Sequence, residues 1–220
     1  MTLVSRPVNW LAYGPAASTL RPFYYQIQLQ LWVMRGQRGA VPHAVKQRVV
    51  KDYAARYGLE TLVETGTYLG DMVWGVRRAF RDIHTVELEP SLYARAVQRF
   101  KRDSRVHLYL GDSAELMTDI VASLTGPALF WLDGHYSAGI TAKGLVETPI
   151  RAELSIVFAD QRSHVVLIDD ASEFTGHGDY PSVDEIRSLL QALRPGLCVT
   201  TEDNIIRVHE RQRPSPGHKA

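Results

Sequence analysis

Glu64-Thr65-Gly66-Thr67-Tyr68-Leu69-Gly70 sets an acid and two spaced glycines directly after the apolar run Thr61 to Val63. The run reads as a strand, and the glycines mark a tight turn from strand into helix. Gly66 lets the backbone turn and approach a ligand, while Gly70 opens a helix whose unpaired N–H groups face it. A nicotinamide site favours Gly-x-Gly-x-x-Gly, which offers bare N–H groups to a pyrophosphate. Glu64 changes that preference, because a carboxylate repels a diphosphate and welcomes an ammonium group. A ligand with an amino-acid head and a nucleoside tail satisfies both halves of the site. Gly-rich turns are also ordinary loop chemistry, so the motif needs the rest of the chain behind it.

Outward from this turn, strands and helices alternate. Strand-like runs fall at Thr61 to Glu64, Ile83 to Glu87, Val106 to Leu110, Ala128 to Leu132 and Val165 to Ile168. Helical patterns separate them near Asp71 to Phe80, Ser91 to Arg102, Ala114 to Leu124, Pro149 to Asp160 and Ser182 to Leu193. Gly196 to Thr200 and Ile205 to Val208, joined through Glu202-Asp203-Asn204, form a hairpin. The rhythm predicts an α/β, Rossmann-like, doubly wound and mostly parallel sheet of seven strands with a C-terminal antiparallel hairpin. An N-terminal helical extension precedes it: a helix over Pro22 to Arg35 and another over Ala44 to Tyr57. The expected organisation is an arm and helical cap over 1–58, a core over 59–210 and a flexible tail over 211–220.

The 220 residues suit one α/β core, and 45% hydrophobic content suits an ordinary globular chain. A net charge of +1, without aromatics interleaved on a basic stripe, argues against a nucleic-acid partner. Arg77-Arg78 and the stretch Arg99 to Arg105 read as solvated helix ends. The single Cys198 excludes an intramolecular disulfide and a multi-cysteine metal site. No secretory core or membrane-spanning apolar run is evident, so a cytoplasmic protein is expected. The first helix carries Phe23, Tyr24, Ile27, Leu29, Leu31, Trp32 and Val33, which is excess apolar surface for an isolated element. It covers the sheet, caps the site or packs on a second copy; a homo-oligomer, a dimer in the simplest case, is expected.

Ligands of open α/β sheets bind beyond the carboxyl ends of the strands, where acids accumulate in this chain. Glu87 closes the second strand and is placed to accept both hydroxyls of a ribose; Glu89 competes, but Pro90 starts a helix and makes it a turn residue. Asp112 follows the third strand and suits an adenine amino group, although Asp112 or Ser113 also serves as an N-cap. Asp133 ends the fourth strand, and Asp169-Asp170 end the fifth. Adjacent strands bring these three carboxylates together, and their repulsion calls for a hard cation such as Mg²⁺. The alternative leaves Asp169 and Asp170 as loop caps. Zinc is disfavoured by the acid-rich set and the absence of a second histidine at ligand spacing. His135, two positions beyond Asp133, is a candidate general base or a structural histidine; His177 is a weaker candidate for contact with substrate.

This ordered set resembles the class I S-adenosylmethionine-dependent methyltransferases over about residues 60 to 209. It is more narrowly similar to the Mg²⁺-dependent sugar O-methyltransferases of macrolide and aminocoumarin biosynthesis and to relatives accompanying polysaccharide-building genes. The resemblance implies S-adenosylmethionine held by Glu64, Gly66, Gly70, Glu87, Asp112 and Ser113, Mg²⁺ held by Asp133, Asp169 and Asp170, and His135 as base. It implies a small-molecule hydroxyl acceptor that is sugar-like or another vicinal diol; a catechol fits the metal almost as well. Some members carry Asp-Gly-Asp where this chain has Asp133-Gly134-His135, and the stretch Tyr136 to Thr148 is a long insert. A nicotinamide oxidoreductase, a metal-dependent hydrolase and a noncatalytic S-adenosylmethionine-binding assembly protein are the rival functions.

Overall fold

The computed structural model describes residues 17–34, 36, 40–133 and 148–211, with side chains from residue 24 onward. Expectations for His135, the rest of the insert up to Glu147, the first residues and the tail beyond Arg211 lie outside the described residues. The chain divides into two compact units, Met1–Val49 and Val50–Ala220. Within the first, helix α1 spans Ala17–Met34, starting ahead of the expected Pro22. Tyr25 packs its ring 5.2 Å from that of His43, the first residue of α2 (His43–Tyr57). Ile27, Leu31, Val33 and Met34 remain exposed on α1.

The second unit holds a seven-stranded sheet in the order β3-β2-β1-β4-β5-β7-β6. The strands are β1 (Thr61–Thr65), β2 (Asp82–Glu87), β3 (Val106–Leu110), β4 (Ala128–Leu132), β5 (Val165–Ile168), β6 (Leu197–Glu202) and β7 (Ile205–Glu210). The first five run parallel, and β7 enters antiparallel between β5 and β6. Central strands of a parallel sheet are covered on both faces, and β4 and β5 accordingly bury every residue. One face packs Val63, Phe130, Leu132 and Ile168 against α5 (Ser113–Ser123), α6 (Ile150–Ala159) and α7 (Val183–Leu193). A Ser182/Glu185 capping box starts α7, and Arg151 of α6 reaches Glu185 at 3.0 Å.

The hairpin turns through Asp203 (φ 52°) and Asn204 (φ 58°), the two left-handed residues that a tight hairpin of this hand needs. The expected helix over Asp71 to Phe80 is shorter: α3 covers Asp71–Val76 and a 3₁₀ turn follows over Arg77–Ala79. Arg105 explains the early stop, because its guanidinium takes the carbonyls of Arg77 and Phe80 at 3.2 and 3.4 Å. The basic patches are therefore not merely solvated helix ends. Arg105 also grips Asp103 at 2.7 Å, and Arg99, on α4 (Pro90–Phe100), pairs with Asp71 at 2.7 Å and donates to Leu69 O.

Strand order reverses between β1 and β4, which places the ligand crevice of such a sheet there. Gly66 (φ 82°) leaves β1 at this point, and a Cβ on it would stand 2.3 Å from the carbonyl oxygen of Asp133. Gly66→Ala combines a disfavoured φ with that overlap and is expected to destabilise the fold by about 1–3 kcal/mol. A denaturant midpoint unchanged from wild type would contradict this.

Candidate functional site at the strand ends

Glu64 lies inside β1, 1% exposed, opposite Thr85 of β2 and Trp131 of β4. Its Oε2 accepts the Thr85 hydroxyl, and the Thr67 and Thr85 hydroxyls share a further hydrogen bond. Burial drives the Glu64 carboxyl well above its usual range; the Thr85 hydrogen bond opposes this, and the Asp133 and Glu87 charges add to it.

Glu87 closes β2 as a clamp. Its Oε2 accepts Tyr68 N at 2.6 Å and its Oε1 accepts Glu89 N at 2.9 Å. The turn after β1 is thereby tied to the end of β2, with Tyr68 held at φ 49°. Burial raises the Glu87 pKa, and the surrounding backbone N–H groups restrain the shift. Glu89 is the N-cap of α4, accepting Ser91 N, with Pro90 at the first helical position. Gly70 caps α3 in the left-handed region, where a Cβ would meet the Phe100 ring at 2.6 Å. Arg99, which sequence reasoning assigned to solvent, braces the same turn through Leu69 O and Asp71.

Asp112 is the N-cap of α5: its Oδ1 accepts Ala114 N at 2.9 Å, and Ser113 is the first helical residue. The capping alternative thus describes one oxygen of Asp112, at the carboxyl end of β3 where an adenine-directed acid was expected.

Asp133, Asp169 and Asp170 converge at the ends of β4 and β5. One carboxylate oxygen from each lies within 4.8 Å of the others. Backbone bonds set this register, with Asp133 N donating to Thr65 O at 3.2 Å and Asp169 N to Leu132 O at 3.0 Å. Asp170 takes the left-handed conformation (φ 50°), its N–H bonded to Asp169 Oδ1 at 2.8 Å. Asn204 from the hairpin turn buttresses it, donating to Asp170 Oδ1 at 3.2 Å while its own oxygens accept Ala171 N and Ser172 N, each at 2.8 Å. An all-oxygen set with one buried and two half-buried carboxylates fits a hard divalent cation. His177 is exposed on its loop and bonded to Thr175 O at 3.2 Å.

The same strand ends enclose a cavity of about 10 Å³ that Asp133, Asp169, Asp170 and a further acid, Glu153 of α6, line together. Sequence reasoning missed Glu153 because it sits mid-pattern in an amphipathic helix, where an acid reads as solvent-facing. It is instead 1% exposed. Burial pushes its pKa up to about 7, opposed by the adjoining Ser113 and Thr65 hydroxyls and reinforced by Asp112. Asn204 was missed for another reason: in sequence it is simply a good turn residue.

No protein-family model matches the sequence, and no curated protein matches it. Solved structures do resemble it. The O-methyltransferase TomG from Streptomyces achromogenes, involved in tomaymycin synthesis and solved with S-adenosylmethionine, is 15% identical with a TM-score of 0.57, covering 84% of this chain and 88% of its own. An O-methyltransferase from Bacillus cereus, solved with S-adenosylhomocysteine, is 15% identical with a TM-score of 0.58, covering 92% and 96%. The N-methyltransferase NodS from Bradyrhizobium japonicum is 14% identical with a TM-score of 0.51, covering 77% and 96%. At these identities the likeness shows the fold, which is that of the class I S-adenosylmethionine-dependent methyltransferases.

Glu153 binds a proton more readily in the folded chain than in the unfolded one, so its burial costs nothing below about pH 4.5 and reaches its full cost above about pH 7. In the metal-free protein, Glu153→Gln is expected to raise stability by up to about 3 kcal/mol at pH 8 and to change it little at pH 4. Thermal denaturation across that range checks this; a gain of equal size at both ends would contradict it.

Proposed function

We propose that this chain is a metal-dependent O-methyltransferase that moves the methyl group of S-adenosylmethionine to a hydroxyl of a sugar, glycoside or other vicinal-diol small molecule. The observation that carries the proposal is the convergence of Asp133, Asp169 and Asp170 within 4.8 Å, beside the Gly66 turn. The O-methyltransferases among the similar structures support the oxygen acceptor. NodS supports nitrogen as the second reading.

Glu64 and the turn from Gly66 to Gly70 hold the amino-acid end of the methyl donor, with Glu87 accepting the ribose hydroxyls and Asp112 and Ser113 meeting the adenine. Glu87 is suited to this because two backbone N–H groups already fix its carboxylate. S-adenosylmethionine supplies the electrophilic methyl group. A divalent cation on Asp133, Asp169 and Asp170 supplies Lewis acidity toward adjacent acceptor oxygens. His135, two residues past Asp133, takes the acceptor proton. Among the described residues no helix is long and apolar enough to cross a membrane; with the single cysteine, this supports a cytoplasmic location. The exposed apolar side chains of α1 support a homodimer, and light scattering that returns a monomer would remove that part of the proposal.

Incubation with labelled methyl donor and pools of glycosides, sugar nucleotides, phenols and amines, with and without a chelator, tests the function. Metal-dependent labelling of a hydroxyl is expected; labelling that survives metal removal would overturn the metal-assisted route. Asp169→Asn should abolish most transfer while calorimetric affinity for S-adenosylhomocysteine stays near wild type. Glu87→Gln should do the opposite and weaken that affinity, and an unchanged value would remove Glu87 from the site. His135→Gln should slow transfer about 10²–10⁴-fold, less at higher pH where the acceptor ionises unaided; near-normal turnover at neutral pH would refute its role as base.

A further inference from the structure

Three of the acids at the strand ends, Asp133, Asp169 and Asp170, follow directly on β4 and β5. Glu153 comes from α6, and its carboxylate is not among the oxygens that converge within 4.8 Å. It nevertheless lines the same cavity as Asp133 and Asp169. The residue is buried, and its Oε1 makes no hydrogen bond of standard geometry among the described residues, even with the Thr65 and Ser113 hydroxyls adjoining it. A buried acceptor whose neighbouring hydroxyls do not meet it at standard geometry bears part of its desolvation cost until a better-placed donor arrives. The cavity beside it, about 10 Å³, is near the size that one water molecule needs.

A cation held by the three aspartates would complete this arrangement. Mg²⁺ dehydrates reluctantly and keeps several waters when carboxylates bind it. A water so held is polarised, and it is a stronger donor than bulk water.

We propose that Glu153 belongs to the cation site as an outer-sphere acceptor, taking a hydrogen bond from a water that the cation on Asp133, Asp169 and Asp170 retains in the cavity. This rests on the metal-dependent function proposed above. Glu153 would then fix the orientation of that water without touching the metal. It also joins α6, the helix that follows the insert, to the β4 and β5 ends, so the acid that steadies the cation is carried by a different element from its ligands.

The test uses the full chain and Mn²⁺ alone, with free Mn²⁺ counted by electron paramagnetic resonance and S-adenosylhomocysteine affinity as the control for an intact fold. Wild type should bind one Mn²⁺. Glu153→Gln should bind it about 10–100-fold more weakly, the usual penalty for losing an outer-shell partner, at unchanged S-adenosylhomocysteine affinity. Glu153→Asp keeps the charge and should recover part of the loss, remaining weaker than wild type; it also serves as the deciding variant if the glutamine form does not fold. Wild-type Mn²⁺ affinity in the deciding variant would overturn the outer-sphere role and leave the metal site standing. A wild-type chain that binds S-adenosylhomocysteine and takes up no Mn²⁺ would overturn the metal site and this inference together.

Discussion

The close passage of Gly66 over the carbonyl of Asp133 fixes the place where the sheet opens. Here β1 hands the chain to the turn that leads into α3, and β4 ends one hydrogen bond away, Asp133 N to Thr65 O. A side chain at residue 66 would force these ends apart. Because they stay together, the turn from Gly66 to Gly70 and the first aspartate of the trio occupy one crevice. Glu87 and Arg99 then pin the far side of the same turn, one through Tyr68 N and the other through Leu69 O and Asp71. The crevice is thus held from β2, β4 and α4 at once.

Charge is the cost of that geometry. Glu64, Glu87 and Glu153 are all buried, and burial raises the proton affinity of each. Three further carboxylates stand close together a short distance away. Such a concentration of buried carboxyl groups favours positive charge. The two halves share Asp133, whose backbone meets the Gly66 turn while its carboxylate joins the trio. That shared residue ties the turn after β1 to the trio of carboxylates.

Much of this was legible in the sequence because strand periodicity and strand-end acids are local signals. The parallel rhythm from Thr61 to Ile168, the hairpin around Asp203-Asn204 and the convergence of Asp133 with Asp169-Asp170 follow from run lengths and the rule that ligands gather at carboxyl ends. What escaped depends on contacts distant in sequence. Glu153 looks solvated until α6 is laid against β1 and α5. Arg99 and Arg105 look solvated until the carbonyls of Leu69, Arg77 and Phe80 are placed beneath them. Asn204 braces Asp170 only because β7 inserts next to β5, a pairing that no local pattern encodes. Gly66 carries a related lesson: beyond the turn expected of it, the structure shows its missing side chain making room for the Asp133 backbone.

Anomalous diffraction from crystals grown with Mn²⁺ and S-adenosylhomocysteine tests the central claim most directly, because it locates metal and nucleoside in one experiment. A single manganese peak among Asp133, Asp169 and Asp170, with the ribose against Glu87, is the predicted result. Nucleoside in place with manganese absent from the three aspartates would contradict it.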